Sequence, residues 1–257
     1  MKKFGLFLSF CFVLIFVSCE GKSQKVSSFQ TDDSKIETKI DITDSLQYLV
    51  REAKGKEKPI LVILMHGFGA NKEDLFPLAN YFPENYIVVT PQAPYKIGNS
   101  NYQWYTSEKD AKGNPNGKTD ELSESINKME NFIVALQKKY KVSADKTFIG
   151  GFSQGANMSY QIGLRNPNII KGIGVLSGTI FNDLKDLKEN EKPSKLKIFI
   201  GHGDLDNRIP YSQAKSSKTW LDAHNYSAEF HTYEGMSHSI SEEEIKDLVD
   251  FVQKNLL

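Results

Sequence analysis

The sequence predicts an α/β fold: a single domain with a mainly parallel central sheet and helices on both faces. Three observations carry that expectation. Strand-like and helix-like patterns alternate along nearly the whole body of the chain, the order that a parallel sheet with crossover helices requires. The run Pro59–Met65 (PILVILM) is apolar throughout, as a strand covered on both faces would be. No internal repeat or break in composition marks off a second domain, and 257 residues suit one α/β unit.

Composition narrows the partners. Hydrophobic residues make up 39% and charged residues 25% of the chain, which fits a soluble body with a sizeable core. The 32 Lys and Arg balance 32 Asp and Glu. That balance removes the electrostatic argument for nucleic acid or for an anionic membrane surface. The two cysteines, Cys11 and Cys19, both lie near the N-terminus. A disulfide framework and a Cys-based zinc site are therefore excluded for the folded body.

The N-terminus reads as an address. Met1-Lys2-Lys3 is a basic start, and Phe4–Val17 is an uncharged, mostly apolar run. As a helix it would reach about 21 Å, short of a bilayer core of about 30 Å. Residues 1–18 are thus expected to be a signal peptide of the lipoprotein type, with Cys19 lipidated after cleavage. Residues 19–40, rich in Ser, Lys, Gln and Asp, are expected to be a flexible tether. The chain is then exported and held at a bacterial membrane, on the periplasmic or cell-surface side, by its N-terminal lipid.

Residues 41–257 supply the alternating elements. Strands are expected at Ser45–Arg51, Pro59–Met65 and Tyr86–Val89. Between the last two, Lys72–Tyr81 predicts a helix capped by Asn71 with Glu73 and Asp74 in its first turn. Pro91–Lys118 is long, punctuated by Gly, Asn and Pro, and carries Tyr102, Trp104 and Tyr105. Such a long loop inside a compact domain is usually functional. Leu122, Ile126, Met129, Ile133 and Leu136 predict a helix over Thr119–Tyr140, with core-packing spacing and a polar face of mixed sign. Beyond it come strand Lys146–Gly150, helix Gln154–Arg165, and strands Gly172–Leu176 and Leu196–Ile200. Helix Ser212–His224, strand Ala228–Thr232 and helix Glu242–Asn255 close the chain. The ligand site should lie beyond the carboxyl ends of the strands.

Three motifs fall there. Gly151-Phe152-Ser153-Gln154-Gly155 follows a strand and opens a helix, the context of a G-x-S-x-G turn that lifts a serine hydroxyl above the sheet. His66-Gly67-Phe68-Gly69 ends the strongest strand. Its glycines let the backbone cross the site, where the Phe68 and Gln154 amides could face a developing oxyanion. His66 itself reads as a packed histidine bonded to local backbone. The third motif is split between Gly201-His202-Gly203-Asp204-Leu205-Asp206 and Gly235-Met236-Ser237-His238. An imidazole can take a serine proton when a carboxylate holds its tautomer. Both Asp204 and Asp206 fit that carboxylate by position. The seven-residue spacing of His224, His231 and His238 puts them on a helix, a strand and a loop, which argues against a metal site. Trp104 and Tyr105 fit either a substrate cleft or a cover over the sheet edge.

With these residues in view, the chain resembles the phospholipase/carboxylesterase family of α/β-hydrolases, which includes acyl-protein thioesterases and short-chain esterases. The resemblance spans roughly Pro59–Leu257 and rests on LMHGFGAN, GGFSQGA, GVLSGTI, HGDLDNRIP and GMSHSIS. It implies the α/β-hydrolase fold, Ser153 as nucleophile, Asp206 as acid, His238 as base, and Phe68 and Gln154 as oxyanion donors. Gln103-Trp104-Tyr105 is similar to the family's aromatic segment, which puts Trp104 and Tyr105 at the substrate. The implied activity is hydrolysis of carboxylic esters, free or linked to a glycan, through an acyl-enzyme and without a cofactor. A thioesterase, a prolyl-oligopeptidase-like peptidase and an inactive ligand-binding surface lipoprotein are the alternatives.

Overall fold

The computed structural model describes residues 46–55, 57–187 and 194–257. The expected signal peptide, Cys19, the tether and the start of the first expected strand lie outside them. The elements run β1 (Tyr48–Arg51), β2 (Ile60–Met65), a 3-10 turn (Phe76–Tyr81) and β3 (Tyr86–Pro91). Four short strands follow, β4 (Tyr95–Lys96), β5 (Tyr102–Gln103), β6 (Ser107–Lys109) and β7 (Pro115–Gly117). Then come α1 (Thr119–Tyr140), β8 (Thr147–Phe152), α2 (Gln154–Arg165), β9 (Gly172–Leu176) and α3 (Asn182–Lys185). The order ends with β10 (Lys197–Gly203), α4 (Tyr211–Ala223), β11 (Ala228–Tyr233) and α5 (Glu242–Leu256).

Seven strands form the central sheet in the order β1-β3-β2-β8-β9-β10-β11. β1 is antiparallel to β3, and the other neighbours are parallel. The two-residue period of β2 explains its wholly apolar composition. Leu61, Ile63 and Met65 enter the core beneath α1, α2 and α4, while Ile60, Val62 and Leu64 enter the core beneath α5 and the 3-10 turn. A single helix-facing side would have needed only alternate apolar residues. α1 lays Leu122, Ile126, Met129, Phe132, Ile133 and Leu136 into the first core and ends on Lys141 in the left-handed region, at φ 53°. No helix among the described residues is long and apolar enough to cross a membrane.

Two sequence expectations need correction. The helix expected over Lys72–Tyr81 is only a 3-10 turn from Phe76. Asn71 does accept a hydrogen bond from the Glu73 amide, at 2.9 Å, but it closes a turn. Pro77 has no amide hydrogen to extend a ladder, and its ring resists a preceding helical residue. The stretch Pro91–Lys118 is not structureless: it folds as two small antiparallel hairpins, β4–β5 and β6–β7. Their ladders of two and three residues are too short to leave an alternating pattern.

Under the sheet, one charge is out of place. Glu244 of α5 is fully buried, packs against Gly201 where a Cβ would meet its Oε1 at 2.2 Å, and neither carboxyl oxygen has a hydrogen-bond partner. Burial pushes its pKa up to about 8, and the nearby Ser241 backbone offsets this only in part. The folded state then holds a proton that the unfolded chain releases near the ordinary carboxylate value, so stability is lost as pH rises toward 8. Glu244→Gln should therefore raise the melting temperature at pH 8 by roughly 2–6 °C and leave it little changed near pH 5. Parallel melting curves across that pH range check the sign; a variant less stable at the alkaline end would contradict it.

Candidate active site

Backbone crowding builds the site. At the end of β8 the chain turns into α2 so sharply that Ser153 sits at φ 54° and ψ −112°, a region costly for any residue with a side chain. The turn is pressed against the end of β2. A Cβ on Gly155 would lie 2.0 Å from the Met65 carbonyl oxygen, and one on Gly151 would lie 2.6 Å from the same atom. The two glycines of G-x-S-x-G thus permit contact between backbones where no larger residue fits. The Ser153 amide donates to the Leu176 carbonyl at 3.0 Å, which ties the turn to β9.

Three side chains from distant parts of the chain meet at this turn. His238 Nε2 lies 2.9 Å from Ser153 Oγ, and His238 Nδ1 lies 2.7 Å from Asp206 Oδ2. Asp206 Oδ1 accepts from the Arg208 and Ile209 amides, both at 2.9 Å. Burial would raise the Asp206 carboxyl, but the His238 bond and these two amides together outweigh it and hold it below the usual carboxylate value. An ionised carboxylate keeps the Nδ1 hydrogen in place and leaves Nε2 as the acceptor facing the Ser153 hydroxyl. Asp204, the other acidic residue of the loop, is used differently: its Oδ1 accepts from the Gly235 amide at 2.7 Å and braces the loop that carries His238. A second imidazole, His202, donates from Nε2 to the Ile209 carbonyl at 2.8 Å and comes within 3.4 Å of Asp206 Oδ2. Burial lowers its pKa.

This hydroxyl, imidazole and carboxylate stand at the C-terminal ends of β8, β11 and β10 in one seven-stranded sheet. The sequence model of the phospholipase/carboxylesterase family matches residues 47–256. The chain belongs to the phospholipase/carboxylesterase family. It is 31% identical over 224 residues to acyl-protein thioesterase 1 of Candida albicans, covering 80% of this chain and 95% of that protein. Acyl-protein thioesterase 1 of Kluyveromyces lactis is 30% identical, with 79% and 95% covered. Among solved structures, esterase PE8 superposes with a TM-score of 0.68 at 25% identity, covering 82% of this chain and 99% of that one. The Bacillus cereus carboxylesterase shares the fold at a TM-score of 0.68 and 20% identity, with 82% and 94% covered. This family member is accordingly a hydrolase of the carboxylesterase and thioesterase kind with the α/β-hydrolase fold.

Beside the serine, two backbone amides are unspent. The N–H groups of Phe68 and Gln154 donate to no protein acceptor among the described residues. His66 orients the first. Its Nε2 accepts from the Ala93 amide at 3.1 Å, so Nδ1 carries the hydrogen and donates to the Gly67 carbonyl at 2.7 Å. In a trans peptide the C=O and N–H point opposite ways. Fixing the Gly67 carbonyl toward the ring therefore aims the Phe68 N–H away from it. Burial lowers the His66 pKa to about 4, and the Gly67 bond offsets this only in part; the ring stays neutral.

Of the two aromatic residues expected at the substrate, Tyr105 lines the cavity and Trp104 does not. Trp104 is fully buried and works as a cross-brace. Its indole N–H donates to the His66 carbonyl, and its amide donates to Gln154 Oε1, both at 2.9 Å. An indole in the core needs an acceptor for its one donor, and here that need joins the β2 loop to the start of α2. Gln154 completes the brace by donating from Nε2 to the Tyr105 carbonyl at 2.7 Å. Nothing in the letters marks this use of Gln154, since a glutamine inside a G-x-S-x-G turn has no pattern to betray its partner.

Ser153 and His238 open into a cavity of about 610 Å³, walled by Phe68, Phe152, Phe181 and Ile209 on the apolar side and reached by Arg208 and Gln213. The hairpin β6–β7 forms part of its rim through Ser107, Glu108, Pro115 and Asn116. Because a Cβ at position 155 would meet backbone that has nowhere to go, Gly155→Ala should cost about 3 kcal/mol or more of stability. Urea unfolding measures this; a loss under about 1 kcal/mol would show that the crossing can open.

Proposed function

We propose that the protein hydrolyses carboxylic esters by way of an acyl-enzyme on Ser153. The observation that carries this reading is the unbroken line from Ser153 Oγ through His238 to Asp206, at 2.9 and 2.7 Å. Ser153 Oγ attacks the acyl carbon as its proton passes to His238 Nε2. Asp206 keeps Nδ1–H oriented and stabilises the imidazolium. The Phe68 and Gln154 amides donate hydrogen bonds to the negatively charged tetrahedral oxygen. Collapse breaks the ester bond, and His238 gives its proton to the departing alcohol. Water, deprotonated by the same imidazole, then attacks the acyl carbon and restores Ser153. No step in this sequence calls for a cofactor.

A second reading takes a thioester in place of the ester. It is favoured by the relatives named as acyl-protein thioesterase 1. The proton path is the same in both, so the leaving group distinguishes them. A panel of p-nitrophenyl esters and acyl thioesters of matched chain length, ranked by kcat/KM, decides between the two.

Two sets of variants test the assignment. Ser153→Ala should lower kcat by about 10⁴-fold or more and abolish labelling by a fluorophosphonate probe. Asp206→Asn should cost about 10³–10⁴-fold, while Asp204→Asn, whose oxygen still accepts from Gly235, stays within about fivefold of the native rate. Equal losses at both aspartates would overturn the choice of acid. For the oxyanion loop, His66→Leu frees the Gly67 peptide and should lower kcat about ten- to a hundredfold with KM changed less than about threefold. His66→Asn, which can still donate to Gly67, should recover part of that loss; a pure KM effect would contradict the role.

A further inference from the structure

The active-site cavity is lined by a cation that no protein group among the described residues uses. Lysine dominates this chain: only three of its 32 basic residues are arginines, at 51, 165 and 208. Two of them spend their planar forks on partners within the chain. Arg51 donates to the carbonyls of Ala79, Phe82, Pro83 and Tyr86. Arg165 donates to Asp183 at 2.6 Å and to Gln161 at 2.9 Å. Arg208 differs. Its guanidinium makes no hydrogen bond or ion pair among the described residues, and the residue, exposed to solvent, lines the cavity that holds Ser153 and His238.

Its backbone is anchored at the reaction centre. The Arg208 amide donates to Asp206 Oδ1 at 2.9 Å, so the Arg208 backbone is tied directly to the carboxylate behind His238. Asp206 itself offers the guanidinium nothing, because its side chain is fully buried and its oxygens are already bonded. Two neighbouring features add positive character. Gln213, from the first turn of α4, lines the same cavity, and its side-chain amide has no partner among the described residues. The N-terminus of α4 carries no side-chain cap and no acidic residue in its first turn, so its dipole is uncompensated there. One carboxylate, Glu108, lies in the lining, but it stands on the β6–β7 hairpin and not on the loop that carries Arg208.

We propose that Arg208, assisted by the Gln213 amide, is an anion-binding arm of the cavity and selects esters that carry a carboxylate. This deepens the esterase reading and rests on it. A guanidinium fork matches a carboxylate with two parallel hydrogen bonds, and the apolar wall of Phe152, Phe181 and Ile209 would take the carbon chain between the ester and that carboxylate. Ester and free acid would then be held at two points, which fixes the reacting carbonyl over Ser153.

Matched esters read this out on the full-length protein. Mono-p-nitrophenyl adipate is compared with p-nitrophenyl hexanoate, which places the charge on the acyl side. Meta-carboxyphenyl acetate is compared with phenyl acetate, which places it on the alcohol side. The native protein should favour the charged member of at least one pair by about tenfold in kcat/KM, and that pair tells which side the arm reaches. Arg208→Gln should reduce the ratio about tenfold, Arg208→Lys should keep part of it, and added salt should weaken it. Discrimination against the charge in both pairs, or a ratio unmoved by Arg208→Gln, overturns the arm and leaves the esterase reading standing if the neutral esters turn over. If no ester of either kind is cleaved, both fall together.

Discussion

The contact on which the site depends is between two backbones. The first turn of α2 lies so close to the end of β2 that Gly155 has room for nothing beyond its hydrogens. That closeness sets the position of Ser153 in two ways. It forces the left-handed conformation of the serine, which turns the hydroxyl out of the sheet. It also brings the first residue of α2 beside the β2 loop, so that Gln154 and Phe68, from different strand ends, line one cavity. Relaxing the crossing by an ångström would separate the hydroxyl from the imidazole and the two amides from each other at once.

The rest of the molecule holds that crossing shut. The parallel ladder of β2, β8 and β9 fixes the strand ends in register, and Ser153 is bonded into it through Leu176. From above, Trp104 and Gln154 tie the β2 loop, the 103–107 segment and the α2 start together through buried hydrogen bonds. Such bonds are strong because no water competes for them and because breaking one leaves a buried group unpaired. Rigid placement of this kind is what a reaction centre needs, since errors of about 1 Å cost orders of magnitude in rate.

Much of this was legible in the letters, for definite reasons. α1 and α2 begin and end where the sequence placed them, because helical spacing over long runs is a redundant signal. β2 could be read as doubly covered because both its faces are apolar. The meeting of Ser153, His238 and Asp206 was reached through motif order and family resemblance, whereas local position left Asp204 and Asp206 equal. Only the fold separates them, by turning Asp204 toward Gly235 and Asp206 toward His238. The hairpins at 95–117 and the role of Trp104 were hidden. Their partners are distant in sequence, as with Trp104 and His66, and two-residue ladders carry no period.

The three histidines of the site show how far one residue type can be pushed by its bonding alone. His66 has both nitrogens committed to backbone, one as acceptor and one as donor, and burial takes its pKa to about 4. It can hold a peptide but cannot accept a proton without breaking the Ala93 bond. His202 is likewise buried and neutral, spending its hydrogen on the Ile209 carbonyl, and so supports the same loop that supplies two amides to Asp206. His238 alone faces a carboxylate with one nitrogen and a hydroxyl with the other. His202 meets that carboxylate only through Nε2 at 3.4 Å, with its hydrogen spent on Ile209, whereas His238 Nδ1 lies 2.7 Å from it. Of the three, only His238 reaches Ser153 Oγ, and the two beside it act as struts for backbone loops.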